Sequence, residues 1–189
     1  MSRFPSLPDN PHLADVFKRF SQGVWPLLDF HDAILRGESE LSVGERELIA
    51  AYTSGLNACR FCHGSHQMIA EVHGIQPEVF SGLFDEPVAV GLDPKWAPLL
   101  AYVRKLTESP ARLTDADAEA VFAAGWSENA FYDAVIVCAT FNMMNRIVEG
   151  TGVVPSADGT AAARDRHEQT LDSKTPYANF GKAAGIPGR

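Results

Sequence analysis

Apolar residues recur three and four positions apart through most of the chain, while Val, Ile and Thr nowhere alternate with polar residues over a strand-length window. That pattern predicts an all-α protein. Leu13, Val16, Phe17 and Phe20 mark a first short helix, and Trp25, Leu28, Phe30, Ile34 and Leu35 mark a second. Ser42, followed three residues later by Glu45, reads as a capping box opening a helix that carries Glu47, Leu48, Ile49 and Tyr52 and fades near Gly55 and Asn57. A further helix over about residues 59–73 stops at Gly74, the residue that most easily takes the left-handed cap conformation. Between residues 76 and 96, Pro77, Pro87, Pro94 and several glycines predict loop and short helix, a hinge between two halves, before a helix over about residues 99–107.

In the second half, Thr114, Asp115 and Asp117 repeat the capping pattern of Ser42 and Glu45 ahead of helices near residues 114–123 and 128–150, which reads as a degenerate internal repeat of helix pairs. Residues 1–154 are expected to form a single helical domain, with one half over about 41–75 and the other over about 113–153. Residues 155–189 are rich in Ala, Asp, Arg and Gly, with few large apolar side chains before Tyr177 and Phe180, and are expected to be an arm that orders on a neighbouring subunit.

Composition narrows the function. A chain of 189 residues should bury about 70% of its unfolded surface, and 46% hydrophobic against 21% charged residues excludes disorder over the whole length. Sixteen Lys and Arg against twenty-four Asp and Glu give a net charge of −8, so a phosphate backbone would meet repulsion and nucleic acid is not an expected partner. The longest apolar run, residues 131–144, is interrupted by Asp133 and Asn142 and falls short of the ~20 residues that cross a bilayer. It reads as a core helix, and no membrane partner is expected. Arg3, Pro5, Pro8 and Asp9 leave no apolar stretch of the secretory kind at the N-terminus, and three cysteines are too few for a disulfide framework. A reducing, cytoplasmic setting is expected.

Candidate chemistry concentrates in Cys59-Arg60-Phe61-Cys62-His63-Gly64-Ser65-His66. On a helix, residues three apart share a face with Cβ atoms ~5–6 Å apart, whereas a relaxed disulfide wants about 3.8 Å. A Cys59–Cys62 bond would then be strained and easily reduced, which suits a catalytic couple better than a staple. His66 lies four residues beyond Cys62, within reach of its thiol. An imidazole there, with the positive end of the helix dipole, would raise the thiolate fraction of a group that is otherwise mostly protonated at neutral pH. Glu47, on the preceding helix, could fold back to orient His66 and stabilise its imidazolium.

Glu47, CxxC twelve residues on, and a histidine four beyond the second cysteine together resemble the AhpD-like alkylhydroperoxidases of the carboxymuconolactone decarboxylase superfamily. The run from Leu41 to Ala50, continuing through Ser54-Gly55-Leu56-Asn57-Ala58-Cys59, is similar to the subgroup called peroxidase-related enzymes, and Asn145-Arg146 fits as well. The resemblance implies an AhpD-like helical fold and a thiol peroxidase in antioxidant defence. Cys62 would be the peroxidatic cysteine, Cys59 the resolving one, His66 the proton acceptor and Glu47 the residue coupling His66 to solvent. It also implies a hydroperoxide substrate, an external dithiol reductant protein and a closed homo-oligomer, a trimer or hexamer. No metal and no organic cofactor is expected. Some members carry a histidine between the two cysteines, where this chain has Phe61, with His63 following instead.

Other readings compete. Cys59-Arg60-Phe61-Cys62-His63 also spells a c-type haem attachment sequence, which leaves Glu47 and His66 unexplained. Zinc would need four ligands packed within eight residues of one helix. A non-redox decarboxylase of the same superfamily and a redox-responsive helical binding module remain rivals to the peroxidase. Cys138 reads as a small buried hydrophobe and Phe131, Tyr132 and Phe141 as core. His73 reads as a complement to a helix C-terminus, and Tyr52 and Ser54 are not counted among the site residues.

Overall fold

The computed structural model describes residues 3–85, 91–155 and 157–189. Among them the regular elements are helices: α1 (Leu13–Arg19), α2 (Val24–Arg36), α3 (Val43–Leu56), α4 (Arg60–Val72), α5 (Pro77–Gly82), α6 (Trp96–Glu108), α7 (Asp115–Ala123), α8 (Glu128–Thr151), α9 (Ala157–Gln169) and α10 (Pro176–Ala184). No strand occurs among the described residues, so the protein is all-α. Residues 86–90 of the expected hinge lie outside the described residues.

Both capping boxes form. Glu45 N–H donates to Ser42 Oγ (3.2 Å) and Ser42 N–H donates to Glu45 Oε2 (2.7 Å), opening α3. At α7, Thr114 N–H donates to Asp117 Oδ2 (2.7 Å), and Lys105 pairs with the same oxygen at 2.6 Å. That lysine, with the Thr114 bonds, holds the Asp117 carboxyl down at about 2.

The chain divides into two compact units. One combines residues up to Glu38 with Arg146–Arg189, and the other is Ser39–Asn145. In the second unit α3 and α4 form a hairpin, α6 packs on both α3 and α7, and α8 runs beside α3, α4 and α6 through residues 138–145. Leu48, Ile49, Leu83, Leu99, Val103, Val137 and Phe141 fill its core. α3 is buried along nearly its whole length, from Gly44 to Ser54.

In the other unit, the residues read as an arm fold as α9 and α10, and α10 lies on α2 of the same chain. Three devices fix it there. The Asp32 carboxylate accepts from Tyr177 N–H (2.9 Å) and Ala178 N–H (2.8 Å), capping α10 from across the unit. Burial raises the Asp32 carboxyl above its usual range, against those two bonds. Gly181 lets the helices touch, because a Cβ there would stand 2.6 Å from Leu28 and 2.9 Å from Trp25. Trp25 Nε1 closes the contact by donating to the Pro187 carbonyl at 3.0 Å.

Candidate active site

A carboxylate has no ordinary reason to sit in α3. Its neighbours Leu48, Ile49, Ala50 and Ala51 are all fully buried, and so is Glu47. A buried carboxylate is tolerated only when paired and hydrogen-bonded. The partner is His66 of α4: His66 Nδ1 and Glu47 Oε2 lie 2.5 Å apart, and His66 is itself buried. A carboxylate oxygen only accepts, so Nδ1 is the donor in this bond, and the ring's other nitrogen, Nε2, is the one left to exchange a proton. The edge-on ring of Phe141 from α8, centroid 4.2 Å away at 72°, fixes the plane of the imidazole.

Cys62 lies within α4 one turn before His66, so the two side chains share a face. It is the third residue of the helix and buried, and it stays under the influence of the positive helix end. Cys59 differs from expectation. The helix starts at Arg60, and Cys59 is its N-cap, with extended backbone at φ −82°, ψ 92°. The helical spacing that made a Cys59–Cys62 bond strained therefore does not apply to this pair. All three cysteines are buried thiols.

The turn between α3 and α4 has a defined construction. Ala58 N–H donates to the Gly55 carbonyl and Cys59 N–H to the Ser54 carbonyl, both at 2.9 Å, the double bond pattern of a Schellman C-cap. Such a motif puts its penultimate residue in the left-handed region. Here that residue is Ala58, at φ 54°.

The structure gives the other flagged residues distinct surroundings. His63 Nδ1 lies 2.9 Å from the Ala51 carbonyl, to which it must donate, and its ring leans on Phe84. Gly55 makes room for both, since a Cβ there would fall 2.2 Å from the Phe84 ring. Tyr52 stacks on the same Phe84 and accepts from Arg104 Nε at 3.1 Å, and burial raises its phenol pKa. Cys138 is fully buried, 3.3 Å from the Thr107 hydroxyl, and burial pushes its thiol above the usual range. His73 is the C-cap of α4.

Sequence reasoning missed a polar network on α8. Asn145 donates to Ser54 Oγ (3.0 Å) and accepts from Asn57 (2.9 Å), whose amide also donates to Asn142 Oδ1 (3.1 Å). Asn142 in turn donates to Thr107 Oγ1 (3.2 Å). A signal was present: Cys138, Asn142 and Asn145 interrupt an apolar run at helical spacing, so they share one face. Among the described residues, no group of three or more His, Cys, Asp or Glu is placed to hold a metal ion, and no helix is long and apolar enough to cross a membrane.

Solved structures share this architecture. An uncharacterized peroxidase-related protein from Silicibacter sp. TM1040 matches with a TM-score of 0.70 and 25% identity, over 77% of this chain and 76% of that one. An uncharacterized peroxidase-related protein from Ralstonia eutropha JMP134, described as an alkylhydroperoxidase AhpD core, matches with a TM-score of 0.68 and 22% identity, over 86% of this chain and 96% of that one. The fold is thus AhpD-like, and the expected resemblance to peroxidase-related proteins is borne out. No protein-family model matches the chain, and no curated protein matches it.

Proposed function

We propose that the chain is a thiol-dependent peroxidase of the AhpD-like type, with Cys62 as attacking thiol, Cys59 as resolving thiol, His66 as proton acceptor and Glu47 as the group that orients and charges His66. One observation carries this reading: a fully buried carboxylate bonded at 2.5 Å to a buried imidazole that lies one helical turn from a cysteine. A structural carboxylate would gain nothing from that position, whereas a proton relay needs it dry and paired.

The chemistry follows from the roles. His66 Nε2 takes the Cys62 proton, and the imidazolium is stabilised by Glu47 across Nδ1. The Cys62 thiolate attacks the terminal peroxide oxygen, the O–O bond breaks, and the leaving alkoxide takes the proton from His66 to depart as an alcohol. Cys62 is left as sulfenic acid. The Cys59 thiol displaces hydroxide from that sulfur, a disulfide forms and water is released. An external dithiol then reduces the Cys59–Cys62 bond by exchange, becoming a disulfide itself and restoring both thiols.

Hydroperoxide consumption with a panel of dithiol donors tests the scheme. Wild-type protein should turn over with at least one donor. Cys62→Ser should be inactive, and Cys59→Ser should consume one equivalent and stall as sulfenic acid. Hydroperoxide consumption undiminished in the double serine variant would discard the Cys59–Cys62 scheme, and a wild-type protein that turns over no peroxide with any donor while decarboxylating a lactone would favour the non-redox reading.

A further inference from the structure

The turn that presents Cys59 holds a conformation that an alanine keeps only when its surroundings impose it, with Ala58 at φ 54° and exposed. Two residues of the turn that lead into the strained position are gripped by one side chain. Asn145, only 2% exposed, donates through Nδ2 to Ser54 Oγ at 3.0 Å. Through Oδ1 it accepts from Asn57 Nδ2 at 2.9 Å. Ser54 is the residue whose carbonyl receives the Cys59 N–H, and Asn57 is the residue immediately before Ala58. Asn142 braces the same Asn57 amide from one turn earlier on α8, at 3.1 Å.

The bonds are specific in sense. The Asn145 amide offers a donor to a hydroxyl from one terminal atom and an acceptor to a second amide from the other. Leucine of the same size would leave the buried Ser54 hydroxyl and the Asn57 amide without these partners.

We infer that Asn145 is a positioning residue for the cysteine pair: by holding Ser54 and Asn57 together it fixes the left-handed turn at Ala58, and thereby the place of Cys59 ahead of α4. Cys59 is buried at the N-cap in this closed turn. Loosening the turn should expose Cys59 and lower its effective concentration toward Cys62. The consequence for the disulfide rests on the peroxidase reading, but the exposure of Cys59 does not.

Two readouts separate them. In fully reduced protein, iodoacetamide alkylation of Cys59 followed by peptide mass spectrometry should be about tenfold faster in Asn145→Ala than in wild type, because local opening governs access. In glutathione buffers, the equilibrium constant for forming the Cys59–Cys62 bond should fall about tenfold, equal to a rise of about 30 mV in potential. Ser54→Ala removes one contact only and serves if Asn145→Ala unfolds; it should move both readouts in the same direction, and the double variant should go little further than Asn145→Ala. Val121→Ala, in the buried core of α7, should lose stability and move neither.

Alkylation rates in Asn145→Ala and Ser54→Ala equal to wild type would overturn the inference, and so would Val121→Ala shifting them equally. Wild-type protein that forms no Cys59–Cys62 bond would instead strike the peroxidase reading, with alkylation still deciding the role of Asn145.

Discussion

The α3–α4 and α7–α8 helix pairs begin alike and end differently. Each opens on a capping box, Ser42 with Glu45 at α3 and Thr114 with Asp117 at α7. The α7 end then turns through a left-handed glycine, Gly125 at φ 93°, while the α3 end turns through Ala58 in the left-handed region. The α3–α4 pair buries Glu47 and His66, whereas the α7–α8 pair buries Val121, Ala134, Val137 and Cys138. One device can start both pairs because capping is local. Only one pair accepts buried charge and backbone strain, and that is where chemistry is expected.

The largest test of this contrast removes a buried group from each pair. His66→Phe leaves the Glu47 carboxylate buried without its imidazole, and should lower stability by about 3 kcal/mol while slowing Cys62 alkylation at neutral pH. Val137→Ala should lower stability by about 2 kcal/mol through its cavity and leave Cys62 untouched. Urea unfolding with parallel alkylation reads both. His63→Phe should behave like the second and not the first, because His63 is spent on the Ala51 carbonyl.

Exchanging the turn residues sharpens the comparison at smaller scale. Gly125→Ala should cost about 1 kcal/mol from its backbone alone, since a Cβ there meets nothing within 4 Å. Ala58→Gly should gain about 0.5 kcal/mol, the relief of the left-handed alanine less the entropy of a freer unfolded chain. Thermal melts of the two variants should move in opposite directions.

The pH dependence differs as well. Burial raises the Cys138 thiol above 9.0, so the native state holds that proton longer than the unfolded chain. Stability should be complete below that value and fall as pH rises past it, and Cys138→Ala should flatten this alkaline limb. Asp117 shifts the other way, from 3.8 down to about 2, with Lys105 as the main cause. Its contribution is present above 3.8 and is lost as pH falls toward 2, so the difference between wild type and Asp117→Asn should vanish across that range. This is the smallest effect, because the pair is on the surface.

Much of the fold was legible because its rules are local. Capping boxes, apolar spacing and the stop at Gly74 each depend on residues within a turn of one another, and so does the placement of His66 beyond Cys62. The Glu47–His66 pairing was legible through the family pattern that joins residues 19 apart. Contacts set by topology were not. Asn145 meets Ser54 across 91 residues and Asp32 caps α10 across 145 and 146; spacing on α8 marks a polar face but names neither partner. The tail looked polar because α10 buries only a narrow face, and that face depends on Gly181, an absence of side chain. Ala58 gave no sign of its turn, since a glycine or asparagine is what marks a left-handed cap. That is why the expected start of α4 fell on Cys59 instead of Arg60.

The central claim is that Cys59 and Cys62 form a redox couple while Cys138 is packing. Peptide mapping after one equivalent of hydroperoxide tests it most directly. The account predicts a disulfide joining Cys59 to Cys62 with Cys138 recovered as thiol; a bridge that includes Cys138, or both Cys59 and Cys62 recovered as thiols with the peroxide unspent, would contradict it.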